Sequence, residues 1–205
     1  MFKLKYTLII LPLLLSACHI NKNIDNATAE EQWQIHQQDL KQVVAFQVNG
    51  SIAHFSDKSR NYARFLILQQ SEEMYEIKIT TPLGGNIVSL KVNSDYAELI
   101  DRDGRHYTDR DVESLMRKIS NINIPLNSLH NWLKGFSDDT SNIKLDNSGR
   151  LASTEFMQNA NKWNLTIPNY MTRKFKSRQI DLPATIELKH GDEKIRLKID
   201  NWILR

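Results

Sequence analysis

The chain has 205 residues, of which 40% are hydrophobic and 25% charged, and its formal net charge at pH 7 is +3. This length suits one domain with a substantial core. The near balance of charge, with no lysine and arginine cluster interleaved with aromatic residues, argues against nucleic-acid binding. A single cysteine excludes an internal disulfide, so packing and hydrogen bonds must hold the fold together.

The first 17 residues predict a secretion signal. Lys3 and Lys5 precede an apolar run from Tyr6 to Leu15, and the small pair Ser16-Ala17 follows. The run is shorter than the about 20 apolar residues of a transmembrane helix. Cleavage before Cys18 would remove two of the 27 basic residues and leave a mature chain close to neutral.

Cys18 is the candidate lipidation site. A plain secretion signal ends in small residues and requires no cysteine, so the position of this lone cysteine favours an attached lipid over a chance occurrence. Several acyl chains, at about 0.8 kcal/mol per buried methylene, would anchor the mature chain firmly. Residues 18–27 are mostly small and polar and predict a flexible tether, and we expect one domain over 28–205.

An amphipathic helix is predicted over residues 28–43. Thr28 and Glu31 form a capping-box pattern at its start. The residues at helical spacing are Trp33, His36, Leu40 and Val43 or Val44. Their apolar stripe should face the body of the protein.

From residue 46 the hydrophobic period changes from about 3.6 to 2, which predicts half-buried antiparallel strands. The alternating residues are Phe46, Val48, Gly50 and Ile52; Phe65 and Ile67; Tyr75, Ile77 and Ile79; and Val88, Leu90 and Val92. Leu99 belongs to the next strand. The turn signal over 101–104 predicts a hairpin into residues 105–107.

Two further helices are predicted in the middle of the chain. Thr108 is predicted to cap the first, with Asp111 in the reciprocal position. Its apolar residues are Val112, Leu115, Met116 and Ile119. Pro125 is predicted to begin the second helix and Gly135 to end it. The face of that helix carries Leu126, Leu129 and Leu133.

Strands are predicted again from residue 143. They comprise Ile143 and Leu145, then 151–157, then Trp163, Leu165 and Ile167, then Ile186 and Leu188, then 195–199 running into Trp202, with turns at 147–149, 159–161 and 190–192. The polar, basic stretch from Pro168 to Pro183 is predicted to be a loop. About ten to eleven antiparallel strands with inserted helices predict a mainly β fold, either a strongly curved sheet or an open barrel.

The three helices are the obvious cover for the apolar face of this sheet. Periodicity leaves open whether they enclose a packed core or a hydrophobic cavity that takes up acyl chains. The candidate cavity residues are Trp33, Phe46, Val48, Ile52, Phe65, Ile67, Tyr75, Ile77, Leu115, Ile119, Leu129, Leu133, Trp163 and Leu165.

No catalytic motif is evident. The six histidines lack metal-site spacing, and the chain has no Gly-x-Ser-x-Gly, Gly-rich phosphate loop or Cys-x-x-Cys. We therefore expect a non-enzymatic protein with no cofactor and no metal. A hydrolase that assembles serine, histidine and aspartate from distant positions stays open as an alternative.

The loop from Thr81 to Gly85 is a candidate membrane contact. Pro82 and the paired glycines predict a turn, and Leu83 has no apolar neighbour in the loop. Leu83 either packs back onto the sheet or projects as a small, transient membrane probe.

Several segments together resemble the LolB family, the outer-membrane lipoprotein receptors of the lipoprotein-localisation pathway. They are the Leu15-Ser16-Ala17-Cys18 lipobox, 79–84, 107–109, 124–129 with Trp132 and Gly135, 144–146, and 197–203. The segments extend over nearly the whole mature chain, and their order and spacing together make the resemblance specific. The tether and residues 169–178 match least.

The resemblance implies an unclosed antiparallel β-barrel with a helical lid over a hydrophobic cavity. Cys18 would carry N-palmitoyl and S-diacylglycerol groups in the periplasm-facing leaflet of the outer membrane. In the family's sorting logic an aspartate after the cysteine favours retention in the inner membrane, so His19 at that position agrees with outer-membrane residence. Such a protein, expected to be a monomer, accepts cargo lipoproteins from the soluble carrier LolA and inserts their acyl chains among outer-membrane lipids. The family's exposed loop leucine falls on Leu83, between Pro82 and Gly84. A structural or lipid-binding lipoprotein without transfer activity is the alternative.

Overall fold

The computed structural model describes residues 28–119, 126, 128–137, 142–158 and 161–205, with the backbone alone at 117–119 and 158. The predicted signal, Cys18, the tether, Pro125 and the turn at 159–160 lie outside these residues. Among the helices of the described part, none is long and apolar enough to cross a membrane.

The described strands form one antiparallel sheet of eleven strands. They are β1 (Phe46–Phe55), β2 (Arg60–Ser71), β3 (Met74–Thr80), β4 (Asn86–Val92), β5 (Ala97–Asp101), β6 (His106–Asp109), β7 (Lys144–Leu145), β8 (Leu151–Gln158), β9 (Asn161–Phe175), β10 (Arg178–His190) and β11 (Glu193–Leu204). Their order is β6-β5-β4-β3-β2-β1-β11-β10-β9-β8-β7. Because β6 and β7 are the two edges and do not pair with each other, the sheet stays open, which confirms the predicted fold class.

The predicted alternation decides which face of the sheet is buried. On β2, Phe65 and Ile67 are buried whereas the residues between and before them are more exposed, and β11 buries Ile195, Leu197 and Ile199 in the same way. Side chains on a strand point alternately to opposite faces, so each strand contributes every second residue to one shared core.

The prediction of a loop over Pro168–Pro183 is wrong. β9 and β10 run through it as a long hairpin whose turn is Lys176-Ser177. Phe175, Ile180 and Leu182 face the core, but polar neighbours and the two prolines hide their pattern. The ladder between β9 and β10 shifts register at Pro183, whose carbonyl oxygen instead accepts a 3.0 Å hydrogen bond from Trp202 Nε1.

The first helix, α1 (Ala29–Lys41), confirms the predicted capping box and ends two residues earlier than predicted. The Glu31 N–H donates to Thr28 Oγ1 at 3.2 Å, and the Thr28 N–H donates to Glu31 Oε2 at 3.1 Å. Trp33 and Leu40 are buried on its inner face, where α1 contacts β7 and β10.

The second helix, α2 (Val112–Ile119), contacts β5 and β6. Thr108 does not cap it, since Thr108 lies within β6 opposite Glu98. Asp111 is the capping residue, because its Oδ2 accepts a 2.8 Å hydrogen bond from the Ser114 N–H.

The third helix, α3 (Leu129–Lys134), contacts β10 and buries Leu129 and Leu133. Gly135 ends it in the left-handed conformation at φ 76°, as predicted.

Candidate lipid-handling site

The candidate cavity residues lie together in one hydrophobic core between the sheet and the helices. They come from α1 (Trp33), β1 (Phe46, Val48), β2 (Phe65, Ile67), β3 (Tyr75, Ile77), α2 (Leu115), α3 (Leu129, Leu133) and β9 (Trp163, Leu165). Ile52 is partly buried and packs against this core. The side chain of Ile119 lies outside the described ones.

Four small pockets are lined by described residues. Their volumes run from about 160 to 250 Å³, below the roughly 300–1,000 Å³ of typical small-molecule pockets. One of about 170 Å³ opens between α3 and β8, where Trp132, Phe136 and Phe156 surround an approach to the buried Leu165. This cleft lies between the helices and the apolar face of the sheet.

Polar contacts fasten α1 to α3. The buried Lys134 Nζ donates to the carbonyl oxygens of Leu40, at 3.4 Å, and Val43, at 3.2 Å, at the C-terminal end of α1. A cation is favourable there because the helix dipole places partial negative charge at that end. Nearby, the Gln37 side chain donates to the Ser137 carbonyl oxygen at 3.0 Å. We call α1 and α3, joined in this way, the lid.

An ion-pair network supports the other end of α1. Arg150 Nε donates to Asp146 at 2.8 Å, and Nη1 of the same guanidinium donates to Asp181 at 3.0 Å. The guanidinium lies 4.6 Å from the centre of the Tyr170 ring. Partial burial opposes ionisation of Asp146, but hydrogen bonds from Arg150 and from the Ser148 N–H outweigh it and hold the pKa of Asp146 below its ordinary value.

His36 is a titratable residue of α1 that lies beside the ion-pair network and Tyr170. Its ring meets the edge of Tyr170 at 6.2 Å between centroids. Burial lowers the pKa of His36, which Arg150 reinforces, while the carboxylates of Asp181, Asp39 and Asp146 act in the opposite direction. His36 Nε2 is buried with no hydrogen-bond partner among the described residues, so the neutral ring is favoured.

The loop between β3 and β4 is a hydrogen-bonded turn. The Thr81 N–H donates to the Gly85 carbonyl oxygen at 2.8 Å, and the Gly84 N–H donates to that of Thr81 at 2.9 Å. Gly84 has φ 92°, a conformation that favours glycine. Leu83 is 100% exposed, so the alternative in which it packs back onto the sheet is wrong.

A comparison of the sequence with models of known protein families finds a match over most of the chain. The sequence model described as outer membrane lipoprotein LolB matches residues 44–202. The chain belongs to the LolB family. This membership confirms the resemblance found in the sequence, and with the open sheet it supports a role in lipoprotein localisation.

A solved structure of low sequence identity shares the fold of this LolB-family chain. A LolA superfamily protein from Nitrosomonas europaea is 14% identical with a TM-score of 0.58, over 87% of this chain and 94% of its own. A domain from Vibrio parahaemolyticus, described as belonging to an outer membrane lipoprotein-sorting protein, has 11% identity and a TM-score of 0.48 over the same shares. At these identities the likeness to the first structure shows the fold alone.

Sequence reasoning did not single out Lys134, Arg150 or Tyr170 in this LolB-family chain. Lys134 bonds to residues more than 90 positions away, and Arg150 pairs with Asp181, 31 positions away, as well as with the nearby Asp146. A basic residue in the last turn of a short helix is usually taken for a solvated charge. Only the fold brings Lys134 under the end of α1.

Proposed function

We propose that this protein accepts lipoproteins from the carrier LolA, binds their acyl chains between the sheet and the lid, and inserts them into the inner leaflet of the outer membrane. The observation that carries the proposal is an apolar sheet face, covered by helices, together with a fully exposed Leu83 in a LolB-family chain. Family membership supports the localisation role, and these two features correspond to acceptance and delivery.

Acceptance requires the lid to move. An acyl chain enters as α1 and α3 separate from the sheet, starting at the cleft beside Trp132. Apolar contacts with Phe65, Ile67 and Leu165 then replace those with the lid. Transfer without nucleotide hydrolysis must run downhill, and about 1.4 kcal/mol of tighter binding gives a tenfold bias toward this acceptor.

Delivery uses Leu83. One leucine buries too little apolar area to hold a protein at a membrane, so its contact with the bilayer is brief. The hydrogen-bonded turn presents the side chain without further ordering, which lowers the entropic cost of each contact.

Anchoring is assigned to Cys18. We propose that cleavage of residues 1–17 exposes this cysteine for N-palmitoylation and S-diacylglycerol attachment, and that residues 18–27 tether a monomeric domain to the periplasmic side of the membrane. Labelled palmitate should enter the wild type and not the Cys18→Ala variant. Equal labelling of the two would exclude this anchor.

The decisive experiment uses residues 18–205 carrying Cys18→Ala, mixed with LolA that is loaded with lipoprotein. Cargo should move to this chain, and then to vesicles when these are added. A structural lipoprotein would instead take up neither cargo nor a fluorescent fatty acid. Release of free fatty acid, lost on replacing one serine, would indicate a hydrolase.

A further inference from the structure

We propose that the end of the sheet that carries Leu83 docks on anionic phospholipid headgroups, which Lys58, Arg60 and Arg102 bind while Tyr62 lies at the membrane interface. This inference rests on the proposed delivery step and names the surface that orients it. We call this surface the Leu83 end.

Strand register places the turns of several hairpins at the Leu83 end. Thr80, the last residue of β3, pairs with Arg64 of β2, and Ile79 is level with Val88, which pairs with Asp101 at the end of β5. Since the strands are antiparallel, the β1–β2 turn, the β3–β4 turn and the β5–β6 turn all lie beyond this level.

The β1–β2 hairpin projects alongside Leu83. Residues 60–63 of β2 continue past the Arg64–Thr80 pair and stay paired with β1. Four residues of strand at about 3.3 Å each extend the hairpin by roughly 13 Å. Its tip therefore reaches beyond the last β2–β3 pair in the same direction as the Leu83 turn.

An aromatic pair lies near this hairpin tip. The rings of Phe55 and Tyr62 meet edge to face, with centroids 6.1 Å apart and planes at 88°. Tyr62 is 61% exposed, and it points away from the core because Phe65 and Ile67 of the same strand point into it. Tyrosine has an apolar ring and a polar hydroxyl, which suits the boundary between acyl chains and headgroups.

Three cations lie in or beside the β1–β2 and β5–β6 turns at this end. Lys58, Arg60 and Arg102 are exposed, and within the described part of the chain none of them has an ion-pair partner. Asp57 offsets one of these charges, and the β10–β11 turn, which lies at the same end because Phe55 pairs with Lys194, adds the exposed Asp192. Arg105, by contrast, pairs with Asp103 at 3.2 Å.

The opposite end of the sheet carries charges of both signs. Its turns between β2 and β3, between β4 and β5, and around the end of β6 carry the acidic residues Glu72, Glu73, Asp95, Asp109 and Asp111. Arg110 and the β9–β10 hairpin residues Lys174, Lys176 and Arg178 offset these charges. The proposed orientation therefore depends on Lys58, Arg60 and Arg102 themselves, whose attraction to an anionic bilayer turns Leu83 toward the membrane.

The test measures vesicle binding of residues 18–205 carrying Cys18→Ala, so that no lipid of its own contributes. The vesicles contain phosphatidylcholine alone or mixed with phosphatidylglycerol. We expect tighter binding to the mixed vesicles, weakened by salt. At about fivefold for each cation near the surface, the triple variant K58Q/R60Q/R102Q should lose about 100-fold in affinity for them.

A matched control removes the same charge from the other end. R110Q/K174Q/K176Q should change the affinity for mixed vesicles by less than about twofold, because these side chains lie away from the proposed surface. Tyr62→Ser should weaken binding to both vesicle types. Equal losses in the two triple variants, or no loss in either, would overturn the inference.

Cargo transfer separates this inference from the proposed function. If cargo reaches mixed vesicles equally fast with the wild type and K58Q/R60Q/R102Q, the charged docking surface is wrong and the transfer function stands. If the vesicles bind as expected but no cargo leaves LolA, the transfer function fails and the docking surface stands.

Discussion

The Nζ atom of Lys134 on α3 lies 3.2 Å from the carbonyl oxygen of Val43, just past the end of α1. This contact makes the two helices one unit over the apolar face of the sheet. A buried ammonium group that loses its acceptors is costly, so the contact also determines how readily the lid comes apart.

Replacement of Lys134 by methionine keeps most of the apolar stem and removes the ammonium group. The variant leaves carbonyl oxygens of Leu40 and Val43 without these hydrogen bonds, and we expect a loss of about 1–3 kcal/mol in the free energy of unfolding. Urea unfolding measures it. The exposed Lys174 offers a control, since Lys174→Met should change stability by less than about 0.5 kcal/mol. Equal stability of the two variants would contradict the role of Lys134.

Leu83→Glu should separate acceptance from delivery. A fully exposed side chain contributes nothing to the core, so folding and uptake of cargo from LolA should stay unchanged. Delivery into vesicles should fall at least about tenfold, because a carboxylate opposes entry into the apolar layer. Met74→Glu, which places the same charge on an exposed residue at the other end of the sheet, should deliver normally. Normal delivery by Leu83→Glu would exclude the leucine from this step.

Gly149 is where α1 rests on the β7–β8 turn. A Cβ atom at this position would lie 2.6 Å from the Ala29 carbonyl oxygen and 2.9 Å from the Trp33 nitrogen. Gly149→Ala should therefore displace α1 and lower the melting temperature, with a change in tryptophan fluorescence to which the displaced Trp33 contributes. Gly104 has a similar positive φ but nothing within 4 Å of its Cβ position. Gly104→Ala thus measures the backbone strain alone, and an equal effect of both would argue against the contact.

His36 should make stability depend on pH. Its pKa is lowered in the folded state by burial, whereas an unfolded histidine titrates near 6.5. Below about pH 6.5 the unfolded state therefore binds more protons, and stability falls as the pH drops toward the folded pKa. The slope from this one group is at most about 1.4 kcal/mol per pH unit. Urea unfolding between pH 7.5 and 5 should show a shallower slope for His36→Phe, and identical slopes would contradict this assignment.

The sequence predicted those parts of the fold that depend on local chemistry. The capping box of Thr28 and Glu31 and the left-handed Gly135 each act within a few residues, so neighbouring positions were sufficient. Alternation was sufficient for β2 and β11, because one face of each strand is clearly apolar. The same criterion failed over β9 and β10, where basic residues flank the buried Phe175 and a second buried residue, Pro183, directly follows Leu182 and breaks the alternation.

The candidate site was predictable to a smaller extent. The pattern located the apolar residues of the core, and the isolation of Leu83 left two alternatives that its exposure resolved. The long-range polar contacts were not predictable, because the ion pair of Arg150 with Asp181 and the bonds of Lys134 to α1 depend on strand order and helix placement. Nothing in a single sequence specifies which distant carbonyl oxygen a lysine will reach.

Because β6 and β7 do not pair, the circumference of this sheet is adjustable. A closed barrel has a girth determined by strand number and stagger, so it cannot widen without breaking hydrogen bonds along a seam. Here the two edges can separate while every existing strand pair stays intact. In the acyl-chain binding proposed above, the space beneath the helices would thus expand with the bulk of the chains, and elastic return of the sheet would favour their release.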